Sequence, residues 1–152
     1  MTDQLNIVVD TREQQPWTFP EQYALTESRK LDAGDYSLVG DEDGFCIERK
    51  SLNDFVGTVT SGWERFLAEI DRMDDSCAKV VIVEGDYSQI VRGEHSHKSV
   101  TARFLLKRIA ELTHLGVSVL FCSTPVMATG MALSLFKRRM EQIEDEMIGG
   151  EA

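Results

Sequence analysis

Asp35, Glu48 and Lys50 are the residues whose types and spacing fit a reaction. They lie in a stretch that reads Gly34-Asp35-Tyr36-Ser37-Leu38-Val39, then an acidic turn Gly40-Asp41-Glu42-Asp43-Gly44, then Phe45-Cys46-Ile47-Glu48-Arg49-Lys50 and Ser51-Leu52-Asn53-Asp54. Two β-prone runs around a turn with glycines predict a hairpin. A strand alternates its faces, so Glu48 and Lys50 point one way and Arg49 the other. Asp35, at the start of the first strand, falls across the hairpin from them. Two like charges about 4 Å apart repel by about 4 kcal/mol at an effective dielectric of about 20. Holding Asp35 and Glu48 together therefore calls for a positive partner, and a divalent cation is the expected one. Mg²⁺ and Mn²⁺ take hard oxygen ligands and often use one or two carboxylates plus waters and a substrate phosphate. Such an ion generates a hydroxide-like nucleophile and clamps a scissile phosphate. A lysine beside it orients the water and offsets developing charge.

These residues must be positioned by the elements around them. Residues 5–10 form a strand whose continuous run Ile7-Val8-Val9 predicts burial on both faces, with the Asp10 carboxylate at its tip. The loop 11–20 carries Trp17 and Phe19, read either as closing the edge of the core or as a platform for stacking a base. Residues 23–31 read as an outer strand. Ser51 begins a capping-box pattern, which makes Asp54 a helix-start residue as well as a candidate site residue. A helix over 63–73 places Phe66, Leu67, Ile70 and Met73 on one face, with Arg65 and Glu69 as a surface pair. Residues 79–86 are the clearest central strand, and Glu84 at its end is placed to support the site. Residues 87–99 read as a flexible loop; its His95 and His97 lack the further ligands a zinc site needs. A helix over 100–115 turns Ala102, Leu105, Leu106, Ile109 and Leu112 inward and Arg103, Lys107 and Arg108 outward. Residues 117–122 read as a buried strand. The last helix, 126–142, presents Met127, Met131, Leu135 and Phe136 on one apolar face, either packed on the sheet or covered by a second copy in a homodimer. This order of elements predicts a three-layer α/β domain with a mixed central β-sheet flanked by helices.

Composition narrows the class. The 152 residues make one domain, 1–142, with an acidic flexible tail at 143–152. The 42% hydrophobic and 28% charged residues are a soluble globular mix without a transmembrane run. The polar, acidic N-terminus is no signal peptide. Cys46, Cys77 and Cys122 lack metal spacing and predict free thiols in a reducing, cytoplasmic compartment. A net charge of −10 argues against a generic nucleic-acid binder. The distribution softens this: residues 99–140 hold Arg103, Lys107, Arg108, Lys137, Arg138 and Arg139 against Glu111 alone. That surface, with Arg103, Lys107 and Arg108 at its centre, is the expected DNA path.

Gly34-Asp35, Glu48-Arg49-Lys50 and Asp54 resemble the GD…ERKxxxD signature of XPF-type nuclease domains, within the PD-(D/E)XK superfamily. Val8-Val9-Asp10-Thr11-Arg12-Glu13 resembles that family's first strand and D-x-R-E turn. The similarity continues through Ser61-Gly62-Trp63-Glu64-Arg65-Phe66 and the strand at 79–85, and covers roughly residues 5 to 140. The resemblance implies a restriction-endonuclease-like fold and a Mg²⁺- or Mn²⁺-dependent endodeoxyribonuclease acting on branched or flapped DNA in repair, recombination or replication. It implies that Asp10, Asp35 and Glu48 hold the metal, that Lys50 positions the water, and that Arg12, Glu13, Arg49 and Asp54 extend the site. Arg49 either joins the chemistry or buttresses the loop carrying Arg12 and Glu13. Nothing after Ser123 resembles the tandem helix-hairpin-helix modules of longer relatives. A stand-alone domain is then expected to dimerise through its own helices or to borrow a DNA-binding partner protein. The rival reading is a catalytically silent XPF-like scaffold or DNA-junction-binding module; RNA is a further substrate left open.

Overall fold

A computed structural model describes residues 4–73 and 75–151. Residues 1–3 of the polar N-terminus, Asp74, and Ala152 of the expected tail lie outside the described residues. Strands β1 (Leu5–Val9), β2 (Ala24–Ser28), β3 (Tyr36–Leu38), β4 (Phe45–Ser51), β5 (Ala78–Glu84) and β6 (Val117–Cys122) form a six-stranded sheet in the order β2-β1-β3-β4-β5-β6. The β1–β3 and β3–β4 pairs are antiparallel, and β1–β2, β4–β5 and β5–β6 are parallel. The sheet is mixed, as its mixture of hairpin and helical crossovers requires.

Each face of the sheet has its own core. Helices α1 (Leu52–Val59), α2 (Trp63–Arg72), α3 (Tyr87–Arg92) and α4 (Ala102–His114) pack Phe55, Val56, Phe66, Ile90, Leu105 and Leu112 against Val81 and Val83. Helix α5 (Pro125–Glu151) and the 11–20 loop pack Ala128, Ala132, Phe136, Trp17 and Phe19 against Ile7, Tyr36, Ile47 and Ile82. This is the expected three-layer α/β arrangement. Trp17 is buried and stacked on Tyr36, with ring centroids 4.5 Å apart, so it closes the core edge and offers no platform for a base. Cys46, Cys77 and Cys122 are free thiols. Among the described residues no helix is long and apolar enough to cross a membrane.

Four readings from sequence are corrected. The segment 87–99 is not all loop, because Tyr87–Arg92 is helical. The Asp86 amide donates to Gln89 Oε1 at 2.8 Å, and Ile90 is the single buried anchor. Six residues are too few to show a helical period. The last helix does not stop at Gln142 but continues to Glu151, so the acidic segment is drawn as helix. Its acids sit among good helix formers, and Gln142 Nε2 donates to Glu146 Oε1 one turn on. The methionine stripe of α5 also divides. Ala128, Ala132 and Phe136 face the sheet, while Met127 and Met131 are exposed; the small Ala128 and Ala132 let the start of the helix approach the sheet closely. Finally, β6 is an edge strand whose middle is only partly buried, because no further strand covers it.

The β3–β4 turn is fixed from two directions. Arg139 of α5 donates from Nε to Asp41 Oδ2 at 2.7 Å and from Nη2 to Asp41 Oδ1 at 2.9 Å. At the other end of β3, Gly34 has φ +74°, and an added Cβ would lie 2.8 Å from Cys46 Cβ and 3.1 Å from the Ile47 carbonyl oxygen. Gly34→Ala is therefore expected to cost about 2–5 kcal/mol, from left-handed backbone and clash together. Gly116 has φ +81° but opens on empty space. Gly116→Ala should cost about 1–2 kcal/mol, from the backbone alone. Urea unfolding of the two variants checks this; equal losses would mean that Gly34 is not closely packed.

Candidate active site

The hairpin register pairs Tyr36 with Ile47, which sets Asp35 opposite Glu48. Asp35 is held by its backbone on both sides: its amide donates to the Ile47 carbonyl at 2.8 Å and its carbonyl accepts from the Asp10 amide at 2.9 Å. Its carboxylate Oδ2 accepts from the Arg49 amide at 2.8 Å. Burial and the Glu48 carboxylate push the Asp35 pKa up to about 7, against the pull of the Arg49 amide. A carboxyl group displaced in this direction is what two acids brought together without a cation between them produce.

Glu48 is flanked by two ammonium groups. Lys50 Nζ lies 3.9 Å from Oε2, and Lys79 Nζ, from the neighbouring strand β5, lies 3.1 Å from Oε1. Sequence reasoning missed Lys79. Its signal was a charge in the otherwise apolar run Lys79-Val80-Val81-Ile82-Val83, in phase with the inward Val81 and Val83. Asp35, Glu48 and Lys79 line one cleft of about 900 Å³, whose other basic residues are Arg12, Arg29, Lys30 and Arg72. A second cleft of about 410 Å³ is lined by Lys50, Asn53, Asp54, Arg65 and His97, and the two share Glu69. Arg65 and Glu69 do not form the expected surface pair, since Arg65 has no ion-pair partner among the described residues.

Arg49 points through the sheet to the opposite face, as strand alternation requires. Its guanidinium donates to Glu84 Oε1 at 2.5 Å, to Glu13 Oε2 at 3.3 Å and to the Gln15 carbonyl at 2.6 Å, and sits 5.1 Å from the centroid of the Trp17 ring. Glu13 also accepts from the Tyr36 hydroxyl at 2.9 Å. Of the two roles open to Arg49, the geometry is that of a buttress for the 11–20 loop. Glu13 belongs to the same buttress, and Glu84 supports it from the end of β5.

Among the described residues Asp10 does not gather with Asp35 and Glu48 into a cluster of three carboxylates. Its side chain is fully buried, with Oδ2 accepting from Arg12 Nε at 2.6 Å and Oδ1 from the Leu31 amide at 2.8 Å. Burial alone would push this carboxyl up, but the Arg12 hydrogen bond and the Leu31 and Arg12 amides hold it below its usual value. Its work is to aim Arg12, which is exposed along the first cleft. Asp54 caps nothing with its own side chain; its amide donates to Ser51 Oγ at 3.1 Å, and it lies by Lys50 in the second cleft.

Of the three cations on the expected DNA surface, the structure turns one into packing. Arg108 does not face outward: it stacks 4.3 Å from the Trp63 ring centroid and 4.7 Å from that of Phe104, and donates to the Val59 carbonyl and to Glu111. Trp63 on α2 and Phe104, one turn earlier on α4, supply aromatic faces on which a planar cation stacks. Lys107 lies 3.9 Å from Glu111 at a highly exposed position, and Arg103 is exposed; neither lines the clefts around Glu48.

Among the described residues no three His, Cys, Asp or Glu side chains gather into a metal site of protein ligands alone. Asp35, whose carboxyl is raised, and Glu48, flanked by two ammonium groups, fit a hard cation that takes its remaining ligands from water and a phosphate.

A family model described as the ERCC4 domain matches residues 9–135, and the chain belongs to that family. Two solved structures share the fold. XPF from Aeropyrum pernix matches with a TM-score of 0.66 at 20% identity, covering 88% of this chain and 61% of that one. XPF from Aeropyrum pernix in complex with DNA matches with a TM-score of 0.67 at 22% identity, covering 91% of this chain and 66% of that one. A Methanocaldococcus jannaschii protein carrying the provisional name ATP-dependent RNA helicase is 24% identical over 143 residues. That match takes in 93% of this chain but only 16% of the relative's length.

A raised carboxyl binds its proton more tightly in the folded than in the unfolded chain. Its stabilising effect is complete below the ordinary value of 3.8 and is lost as pH rises through about 7. Asp35→Asn should therefore stabilise the metal-free protein more at pH 8, where the native carboxylate is ionised beside Glu48, than at pH 5. Chemical unfolding of both proteins in EDTA at the two pH values measures this. Equal effects at both would mean that Asp35 carries no raised proton affinity.

Proposed function

We propose that this chain is a metal-dependent endonuclease that hydrolyses DNA phosphodiester bonds, with branched or flapped DNA as its substrate. The observation that carries the reading is the placement of Asp35, Glu48 and Lys50 at one end of a hairpin, bordering the clefts. Membership of the ERCC4 domain family and likeness to an XPF chain solved with DNA support it. Asp35 and Glu48 are the residues that would hold Mg²⁺ or Mn²⁺. That ion, when bound, supplies a water-derived nucleophile and positive charge at the scissile phosphate. Lys50 orients the water and offsets charge developing on the phosphate oxygens. Arg12, aimed by Asp10, meets the backbone of the substrate at the rim of the first cleft. Asp54 and Arg65 border the strand on the far side of Lys50. Arg49 and Glu13 act by holding the 11–20 loop.

The substrate path in this reading follows Arg12, Lys30 and Arg72 and not the outer surface of α4. Each phosphate contact on duplex DNA contributes about −0.9 to the slope of log affinity against log salt. Lys30→Ala with Arg72→Ala should flatten that slope by about two units, and Arg103→Ala with Lys107→Ala should leave it nearly unchanged. The opposite result would return the path to α4. A second copy of the chain covers the exposed Val126, Met127 and Met131 of α5, and light scattering is expected to give twice the 17.1 kDa chain mass; a monomer mass would leave the alternative, a separate DNA-binding partner protein.

One observation favours a second reading, a catalytically silent scaffold or junction-binding module. The net charge is −10, and Asp32, Glu42, Asp43 and Glu69 line the same cleft as the basic residues. Cleavage of single-stranded, duplex, flapped and four-way-junction DNA, and of RNA, in Mg²⁺, Mn²⁺ or EDTA separates the two. Asp35→Asn and Lys50→Ala should each lose cleavage by about 10²-fold or more. Mn²⁺ should raise the Tm of wild type and Lys50→Ala alike and that of Asp35→Asn much less, since only the aspartate is a ligand. A wild-type protein that cuts nothing and gains nothing from Mn²⁺ is the scaffold.

A further inference from the structure

We propose that Lys79 is a positioning residue that assigns the two oxygens of Glu48 to different tasks and thereby sets which divalent cation the site prefers. The inference rests on the metal-dependent reading above and concerns a residue outside the family signature. Lys79 enters from β5, where the parallel register pairs it with Cys46 and pairs Val81 with Glu48. Its side chain is 3% exposed, its Nζ is 3.1 Å from Glu48 Oε1, and it sits 5.0 Å from the centroid of the Phe66 ring. Phe66 is itself buried in the core under α2. The ammonium is thus held between a ring that cannot move away and one carboxylate oxygen.

Lys50 approaches the other oxygen, Oε2, at 3.9 Å, which is too long for a hydrogen bond, and its side chain is 24% exposed. The two lysines are not equivalent. Lys79 ties Oε1 into the core, and Lys50 remains free to meet water or phosphate at the cleft. Glu48 can then offer a cation one oxygen and not two. Mg²⁺ and Mn²⁺ form octahedral sites with single oxygens and retained waters, whereas Ca²⁺ takes more oxygens and commonly accepts a carboxylate through both. A glutamate with one oxygen already committed favours the smaller ions.

The test is calorimetric titration of the full chain, without DNA, with Mn²⁺ and with Ca²⁺. Lys79→Met keeps most of the apolar stem and removes the ammonium. It should strengthen Ca²⁺ binding relative to Mn²⁺ by about tenfold, within the range typical of groups that orient metal ligands. Lys79→Arg keeps a donor for Oε1 and should hold the ratio close to that of wild type. If Lys79→Met strengthens both ions equally, Lys79 is background charge and the proposal is overturned. A measurement on wild type guards against a variant that fails to fold. The Lys79 ammonium, followed by ¹⁵N NMR, should stay protected from solvent exchange when Mg²⁺ is added; loss of protection would show that the ion takes Oε1, and would overturn the proposal. Wild type that binds neither Mn²⁺ nor Ca²⁺ overturns the metal-dependent reading itself, and this inference with it.

Discussion

The repulsion between Asp35 and Glu48 is the constraint around which the polar structure is built. The antiparallel β3–β4 register sets the two carboxylates opposite each other, Asp35 just before β3 and Glu48 within β4. The surroundings offset the charge from three directions. The Arg49 amide donates to Asp35, the buried Lys79 forms an ion pair with Glu48, and Lys50 stands at the cleft edge. Burial first, and then the repulsion from Glu48, raise the affinity of Asp35 for a proton. In the proposed reading a cation would replace that proton and relieve the repulsion.

The Glu48-Arg49-Lys50 triplet serves both faces of the sheet. The outer two residues face the clefts, and Arg49 passes to the other side. There it joins Glu13, Glu84, the Gln15 carbonyl and the Trp17 ring into one partly buried cluster. An arginine supplies several planar donors at once, which a lysine could not do at this position. Asp10 performs a related task through Arg12. Two acids of the first motif, Asp10 and Glu13, are thus spent on arranging arginines. The loop that carries Arg12 to the first cleft is tied at Asp10, after β1, and through Arg49 to β4.

Net charge gives a poor guide to this surface. The chain is strongly acidic as a whole, yet its acids are distributed among ion pairs, caps and the exposed end of α5. Of the C-terminal cations, Arg108 stacks on two rings and Arg139 holds the hairpin turn. Both are occupied in packing. The cations along the first cleft come from sequence regions where acids dominate, and they share that cleft with Asp32, Glu42, Asp43 and Glu69.

The sequence by itself determined the hairpin, the opposed directions of Glu48 and Arg49, the Ser51 cap and the family. These follow from strand alternation, turn glycines and motif spacing, all of which are local. It also determined the three-layer class, since long apolar runs at helical or strand period leave few ways to pack. Tertiary structure decided the rest. Whether Asp10 met a cation or an arginine depended on Arg12 and on the Leu31 amide, twenty-one residues away. Whether Arg108 faced solvent depended on Trp63, and whether Met127 was buried depended on how closely α5 approaches the sheet. Lys79 became part of the site only because β5 lies parallel to β4 at a register that brings Nζ to Glu48. A periodic pattern fixes which face a side chain takes; it contains no information about which distant group occupies the space beyond that face.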